Sequence, residues 1–198
     1  MKVLSSPASP FGRKVSLTAH MKGLAGGIDF QTTKADDDGN TNPLSKIPVL
    51  ITDDGTTIYD SPVICEYLDA QASSPVLFPG EGAKRWKALV LGALGDGIID
   101  AAILLVYEGR YRPEDKRVDA WVEMQQKKID QALDHLEPNP PAWDGTPDYG
   151  HITLACALGY LDFRHGGKWR AGHPNLVAWL EKFDAAVPAF KETAPPPA

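Results

Sequence analysis

Cysteine is scarce in this sequence, which has only Cys65 and Cys156 among its 198 residues. The two lie far apart, in separate apolar and helical patterns, so neither a disulfide framework nor a cysteine-based zinc site is expected. No Cys-x-x-Cys pair occurs, which excludes a thioredoxin-like dithiol oxidoreductase. We interpret both thiols as small, buried, hydrophobic side chains in a protein from a reducing compartment.

Long apolar runs and clusters of positive charge are also missing. The chain turns polar at Ser5-Ser6-Pro7, before an apolar stretch of signal-peptide length develops, and no run reaches ~18 apolar residues. The net charge is -6, with the basic residues dispersed along the chain. We therefore expect a cytoplasmic protein that has no nucleic-acid or membrane partner, binds no metal and acts on a small soluble molecule.

Residues 1–75 alternate short strand-like runs with helical ones, which predicts a mixed α/β domain. The sequence Asp53-Asp54-Gly55 between two β-like runs is a hairpin signal. The expected elements are a strand at 1–5, a helix at 10–22 ended by Gly23, a strand at 28–33, a hairpin of 48–52 with 56–59, and a helix capped by Asp60 or Ser61. Their order is βαβ, then a hairpin, then a helix.

The remaining sequence differs in its composition and in the spacing of its apolar residues. Residues 71–84 are rich in serine, proline and glycine and predict an interdomain linker, which we place at 76–85. Residues 86–198 show helical periodicity, so we expect an all-helical second domain. It comprises a long helix from Trp86, a helix over 118–136, a central helix over 153–163 that is apolar nearly all round, and a last amphipathic helix over 176–183. The tail at 194–197 is expected to be frayed.

Ser9 stands at the junction between the first strand and the first helix, in Ser9-Pro10-Phe11-Gly12-Arg13-Lys14. A hydroxyl at this place lies beside the free backbone N–H groups and the positive dipole end of the helix, a position that favours an anion such as a thiolate. Ser9 could donate a hydrogen bond to that anion. Serine before proline is also an ordinary helix cap, so the signal is weak by itself.

Two further features belong to the same domain. Pro48, in Lys46-Ile47-Pro48-Val49-Leu50, opens a strand; a cis Ile47–Pro48 bond would leave the backbone of Ile47 free to pair with an extended peptide. Asp60-Ser61 begins the next helix, where Asp60 can take an ammonium group and Ser61, with backbone N–H groups, a carboxylate. A plain helix cap is the alternative interpretation of Asp60-Ser61.

Three segments together resemble the glutathione transferase superfamily, particularly its bacterial members: Ser9-Pro10-Phe11, Asn42-Pro43-Leu44-Ser45-Lys46-Ile47-Pro48-Val49-Leu50 and Asp60-Ser61-Pro62-Val63-Ile64-Cys65-Glu66-Tyr67-Leu68. The likeness continues through residues 153–164 and so covers nearly the whole chain. It implies a thioredoxin-like glutathione-binding domain followed by an all-α helical bundle. It also implies that the chain forms a homodimer.

The resemblance assigns roles to individual residues. It places Ser9 at the sulfur of glutathione as the catalytic group, and it implies a glutathione-binding set of Phe11, Lys46, Ile47, Pro48, Asp60 and Ser61. Relatives that form a mixed disulfide with glutathione carry cysteine where this chain has Ser9, so thiol-transferase and dehydroascorbate-reducing activities are not expected. The family's central helix opens with a Ser or Thr cap followed by Asp; here Thr153 keeps the cap, but Cys156 replaces the acid, so a weaker start of that helix is expected.

The function implied is a glutathione transferase, in which a glutathione thiolate attacks a small hydrophobic electrophile. Four residues of the second domain are candidates for lining the electrophile pocket: Tyr107, Arg110, Tyr111 and Trp169. Packing is an alternative role for each of them. A non-catalytic ligand-binding or regulatory scaffold with the same fold, as in stringent starvation protein A-type relatives, is the competing interpretation, and the presence of Ser9 and Asp60-Ser61 favours the enzyme.

Overall fold

A four-stranded sheet forms the centre of the first half in the computed structural model, which describes residues 1–197. Its spatial order is β2-β1-β3-β4, with β1 parallel to β2 and antiparallel to β3, and with β3 and β4 forming a hairpin. The strands are β1 (Lys2–Ser5), β2 (Asp29–Thr32), β3 (Val49–Ile51) and β4 (Thr57–Ile58). Helices α1 (Pro10–Met21) and α2 (Ser61–Ala70) pack against each other. The expected order of elements is confirmed.

Both ends of α1 follow from local sequence. Ser9 is the N-cap, and Pro10 occupies the first turn, where its missing N–H costs no hydrogen bond. At the other end Gly23 adopts a φ of 69°, which a residue with a Cβ rarely tolerates. The N–H of Leu24 then bonds to the carbonyl of Ala19, and the N–H of Gly23 bonds to that of His20, which completes a Schellman ending. The predicted Gly23 stop is confirmed.

The second half is helical, as expected. It consists of α3 (Gly82–Tyr111), α4 (Asp119–Leu136), α5 (Tyr149–His165), α6 (Pro174–Ala186) and α7 (Ala189–Glu192). Helices α3 and α5 pack closely at Gly92, where a Cβ would lie 2.4 Å from the ring of Tyr149. Helix α3 begins at Gly82, four residues before the predicted start at Trp86. The expected boundaries between the two domains stay a prediction.

The central helix α5 is buried on nearly every side, as its sequence predicted, but its start was predicted wrongly. Thr153 does not cap the helix; it lies in the interior, where its hydroxyl donates to the carbonyl of Tyr149. The N-cap is Asp148, whose carboxylate accepts from the backbone N–H of His151, while the backbone N–H of Asp148 donates to Nδ1 of His151. A complete capping box therefore starts the helix four residues earlier, and Cys156 leaves nothing missing there.

A buried ion pair joins the two halves. Lys14 of α1 is fully buried, and its Nζ lies 2.6 Å from Oδ1 of Asp96 on α3. The same Nζ donates to the hydroxyl of Tyr149 on α5, 3.1 Å away, and that hydroxyl donates to Oδ2 of Asp96. Each polar group of this cluster has a partner, so the charge of Lys14 is compensated although no water reaches it.

The segment between α2 and α3 is fixed by Asp69. Its carboxylate accepts from the backbone N–H groups of Leu77 and Phe78, and it also pairs with Lys22 of α1 at 2.8 Å. Leu77 and Phe78 are buried in the core. The start of the second half is therefore held against α1 and α2.

Within residues 1–197 a single helix, α3, is long and apolar enough to cross a membrane by length and composition alone. The core helix of a soluble protein passes the same test, so this observation is weak evidence for a membrane. Helix α3 also carries Asp96, paired with Lys14 of α1, in its middle.

Candidate functional site

Ser9 retains an unused hydrogen-bond donor at the N-terminus of α1. Its Oγ accepts from the backbone N–H of Gly12 at 3.1 Å, which is ordinary N-cap geometry. A hydroxyl can accept and donate at once, and within residues 1–197 the O–H of Ser9 has no acceptor. Capping the helix therefore leaves the proton of Ser9 available to an anion placed beyond the helix end.

A small cavity begins at Ser9 and runs between the loop before α1 and the central helix α5. Ser9 is half-buried at its wall. The other lining residues are Pro7, Ala8, Pro10 and Arg13 on the α1 side, Cys156, Gly159, Tyr160 and Phe163 on α5, and Pro195 of the C-terminal segment. Ser9 thus borders a space that residues of the second half also line.

The loop before β3 presents Ile47 at the edge of the sheet. The expected cis Ile47–Pro48 bond is present, and pairing of β3 with β1 begins only at Val49. Asn42, which sequence reasoning gave no role, is 4 % exposed. Its Oδ1 accepts from the N–H of Leu44, and its Nδ2 donates to the carbonyl of Lys46, so it closes the loop that holds Ile47.

Asp60 and Ser61 begin α2 without the side-chain cap that the plain alternative requires. Asp60 is the N-cap residue, yet its side chain accepts no hydrogen bond from the helix, and it forms no ion pair within residues 1–197. Asp60 is exposed, whereas Ser61 is 2 % exposed. A free carboxylate next to unpaired helix N–H groups can receive an ammonium and a carboxylate on one amino-acid head.

The sheet topology brings these three places to one edge. Strand β1 ends at Ser5, four residues before Ser9, and β3 begins opposite that end because Leu4 pairs with Val49. Strand β4 runs back along β3, so its last residue, Ile58, faces Leu50 at the start of β3 and leads directly to Asp60. Sequence spacing could not show this, because α1 and β2 lie between Ser9 and Ile47, and the β3–β4 hairpin lies between Ile47 and Asp60.

Helix α3 adds an acid that sequence reasoning missed. Burial raises the pKa of Asp100, the charge of Asp96 raises it further, and the cations of Lys46 and Lys14 oppose the rise. The carboxylate of Asp60 also acts on Asp100. The charges of Lys46 and Asp60, two of the predicted glutathione-binding residues, thus act on Asp100, which no local motif in the sequence marks.

Three of the four candidates for the electrophile pocket lie together at the end of α3. The rings of Tyr107 and Tyr111 are 5.3 Å apart, and the guanidinium of Arg110 lies 6.0 Å from the ring of Tyr111. Burial raises the pKa of Tyr160, and the charges of Arg164, Tyr107 and Arg110 also act on it. Tyr160, a residue not singled out from the sequence, lines the cavity at Ser9.

Trp169, the fourth candidate, occupies a different environment. It lies in a short 3₁₀ helix, Lys168–Gly172, and is 7 % exposed. Its Nε1 donates to Asp162, and Arg170 lies over its ring. These contacts fit a packing role, and the assignment of Trp169 to an electrophile pocket stays a prediction. Phe11, of the predicted glutathione-binding set, is half-buried near Lys14, whose Nζ is 5.6 Å from its ring.

Neither cysteine is a candidate nucleophile. Both side chains are fully buried, and burial raises the pKa of Cys65 to about 12 and that of Cys156 to about 11. A thiol with so high a pKa is not a thiolate at neutral pH. The interpretation of both as buried hydrophobic residues is confirmed. Across residues 1–197 no group of three His, Cys, Asp or Glu residues is arranged to hold a metal ion.

Comparisons with known proteins agree with this architecture. The family model of the glutathione S-transferase N-terminal domain matches residues 8–71, and that of the glutathione S-transferase C-terminal domain matches residues 119–182. A GST-like protein of Escherichia coli K12, YibF, is 33% identical over 100% of both chains.

Two solved structures of a glutathione transferase family member from Pseudomonas fluorescens Pf-5 are similar over nearly the whole chain. One, with bound glutathione, is 38% identical, covers 98% of each chain and has a TM-score of 0.90. The other, with bound S-(propanoic acid)-glutathione, is 39% identical, covers 99% of this chain and 100% of that one, and has a TM-score of 0.88. The expected combination of a thioredoxin-like domain and a helical-bundle domain is confirmed.

Proposed function

Since this chain belongs to the glutathione S-transferase family, we propose that it binds glutathione at the sheet edge formed by Ser9, Ile47 and Asp60 and activates the thiol for attack on a small hydrophobic electrophile. The observation that carries this proposal is the hydroxyl of Ser9, which caps α1 as an acceptor and keeps its proton free. The Ser9 hydroxyl lies at the N-terminus of α1, where the helix dipole also favours an anion.

The energetic demand on this arrangement is modest. A free thiol has a pKa of about 8.5, so only a few per cent is thiolate at neutral pH. Lowering the pKa by about two units corresponds to roughly 2.7 kcal/mol of preferential stabilisation of the anion. A hydrogen bond to a charged group contributes about 1.5–3 kcal/mol and a helix end about 0.3–1 kcal/mol, so together they reach the required magnitude.

The rest of the tripeptide has matching partners along the same edge. Ile47 lies before Val49, the first paired residue of β3, and offers its backbone groups to an extended peptide, as in recognition by strand addition. Asp60 offers an unpaired carboxylate for the γ-glutamyl ammonium, and the N-terminus of α2 with Ser61 offers donors for its carboxylate. Pro48, Lys46 and Phe11 complete the proposed binding set, and relatives with glutathione bound support it.

The electrophile binds, in this proposal, between the loop that carries Ser9 and the helices of the second half. Tyr107, Arg110 and Tyr111 form one wall at the end of α3, and Tyr160 continues it toward Ser9. A similar structure was determined with a thioether conjugate of glutathione, which supports conjugation as the reaction class.

We further propose a cytoplasmic homodimer. Helix α3 exposes a stripe of apolar residues one turn apart, with Trp86 65 % and Val90 68 % exposed, and Val63 of α2 is also half exposed. A second copy covering this stripe would account for the apolar composition of α3 without a membrane. Sedimentation equilibrium tests the dimer, and Val90→Glu should shift it to a monomer if α3 forms the contact.

Titration of the wild-type protein with glutathione, followed by calorimetry and by the ultraviolet absorbance of the thiolate, tests the proposal. We expect saturable binding and a thiolate signal at neutral pH, followed by turnover with at least one member of a panel of halogenated, epoxide, quinone and peroxide substrates. Binding without a thiolate signal or turnover would favour the non-catalytic scaffold, and no binding at all would remove the proposed site.

A further inference from the structure

Arg13 is a buried cation that the proposed thiol chemistry leaves unexplained. It is 9 % exposed, and its guanidinium stacks on the ring of Phe190 with 3.9 Å between Cζ and the ring centroid. Its Nη2 donates to the carbonyl of Phe190 at 2.7 Å, but its Nε is buried without a partner. Within residues 1–197 Arg13 forms no ion pair, which is unusual for a buried charge.

The two acids whose charges act on Arg13 are engaged with other cations. The charges of Asp162 and Asp184 act on Arg13, but the carboxylate of Asp162 is bound by Arg170 at 2.6 Å, and that of Asp184 pairs with Lys191 at 3.2 Å. Burial lowers the pKa of Arg13 from its ordinary value, in line with the unpartnered Nε. An anion supplied from outside would complete the compensation.

Arg13 also lines the space in which such an anion could bind. It forms part of the wall of the small cavity at Ser9, together with Gly159, Phe163 and Pro195. The same four residues line a second, larger cavity of about 470 Å³, which continues along α6 and α7 and is bounded on its outer side by residues 194–197. The two cavities therefore share the wall that Arg13 helps to form. The larger one is also lined by the acids Asp162, Glu181 and Asp184 and by the cations Arg170 and Lys191.

The geometry points to an electrophile that carries a carboxylate on an apolar body, with the carboxylate bound by Arg13 and the reacting carbon directed toward Ser9. This inference rests on the proposed function and specifies its substrate class. The step is a displacement: the glutathione thiolate forms a C–S bond, the carbon–halogen bond breaks, and halide leaves with the electron pair, while the thiol proton passes to solvent. Arg13 takes no part in bond making; it binds and orients the substrate.

Two electrophiles that differ only in charge test the inference: 4-(bromomethyl)benzoate and 4-(bromomethyl)benzamide, each compared with its uncatalysed reaction with glutathione. For the wild type we expect the acid to exceed the amide in kcat/KM by about tenfold to a hundredfold, the range of a charge-assisted hydrogen bond at a buried site. Arg13→Met should abolish this excess by raising KM for the acid, and turnover of the amide should fall far less than turnover of the acid.

Two further variants separate binding from folding. Arg85→Met is the matched control, because Arg85 is half-buried and already paired with Glu66, so the acid preference should be unchanged. Gly159→Ala keeps Arg13 but places a Cβ 2.5 Å from its Nη1, which must displace the guanidinium. It should reduce the acid preference, and it decides the question if Arg13→Met loses both activities.

The outcomes distinguish this inference from the function on which it rests. Turnover of the amide without any preference for the acid overturns the carboxylate site and leaves the transferase proposal standing. An acid preference that survives both Arg13→Met and Gly159→Ala shows that another cation binds the carboxylate, and it also overturns the assignment. No turnover of either compound by the protein with bound glutathione overturns this inference. The proposed function falls as well only if the thiolate signal and turnover of the whole substrate panel are also missing.

Discussion

Helix α1 contributes polar groups to two regions that use them in opposite ways. At the joint with the helical half, Lys14 is fully buried and satisfied by Asp96 and Tyr149. At the sheet edge, Ser9 and Asp60 keep a donor and a carboxylate without a protein partner. The comparison suggests that paired polar groups hold the two halves together and that groups with spare capacity await a ligand. Changes in the first region should alter stability, and changes in the second should alter binding or rate.

The largest effect is expected at the joint. Lys14→Met leaves Asp96 without its cation in a mostly buried place, so we expect a loss of about 3–5 kcal/mol in the free energy of unfolding. Urea denaturation measures it. The double variant Lys14→Met with Asp96→Leu removes both charges and should recover most of the loss. If Lys14→Met lowered the free energy of unfolding by less than the loss of an exposed pair such as Lys116–Asp115 does, the structural role of the joint would be contradicted.

Ser9→Ala should act on rate instead of stability. Removal of the one donor to the sulfur should lower kcat about 10-fold to 1000-fold while glutathione affinity stays nearly intact, since the tripeptide has other contacts. Steady-state kinetics and calorimetry separate the two effects. Ser6→Ala is the control, because Ser6 lies in the same loop and accepts from Ala8. A rate loss in Ser6→Ala, with none in Ser9→Ala, would transfer thiol activation to Ser6.

Asp60→Ala should weaken glutathione binding by about 10-fold to 100-fold, because the ammonium loses a charge-assisted partner. The thermal midpoint should change little, since the side chain of Asp60 does not cap α2. Calorimetric titration measures the affinity, with Asp38→Ala as the control in the exposed loop before β3. Equal affinity in Asp60→Ala and wild type would place the γ-glutamyl end elsewhere.

Loss of the Asp148 cap should have a smaller effect. Asp148→Ala removes the acceptor for the N–H of His151 and should cost about 0.5–2 kcal/mol in the free energy of unfolding. Thr153→Val, which keeps the shape of a residue inside the helix, should cost less if the corrected start of α5 holds. Chemical denaturation of both variants measures the difference, and the reverse order would restore Thr153 as the cap.

The smallest effect is expected from thiol reagents. Because the pKa of Cys65 is raised to about 12 and that of Cys156 to about 11, both remain protonated well above neutral pH in the folded protein. Iodoacetamide at mildly alkaline pH should leave the folded protein unlabelled and should modify both residues after unfolding. Mass spectrometry detects either result, and rapid labelling of the folded protein would show that one thiol is accessible.

Local signals predicted the elements of the sheet well, and their limits are visible at α5. The hairpin turn, the end of α1 at Gly23 and its start at Ser9-Pro10 are each determined by residues that are close together in sequence. Short segments were therefore sufficient to predict them. Asp148 was missed because its partner is His151, an uncommon residue at that place in a capping box, while Thr153 matched a familiar pattern. The prediction took the place of Thr153 in the family pattern as the start of α5, which in fact begins after Asp148.

The sequence by itself determined that an α/β pattern is followed by a helical one, which family the chain resembles, and which three segments carry Ser9, Ile47-Pro48 and Asp60-Ser61. Periodicity and short motifs are local properties and can be found without the tertiary structure. Only the tertiary structure decided that these segments meet at one sheet edge, that Asn42 closes the loop that holds Ile47, and that Lys14 is paired whereas Arg13 is not. Lys14 and Arg13 are neighbours in sequence and equally charged. Their difference arises from partners on other helices, and no local pattern records it.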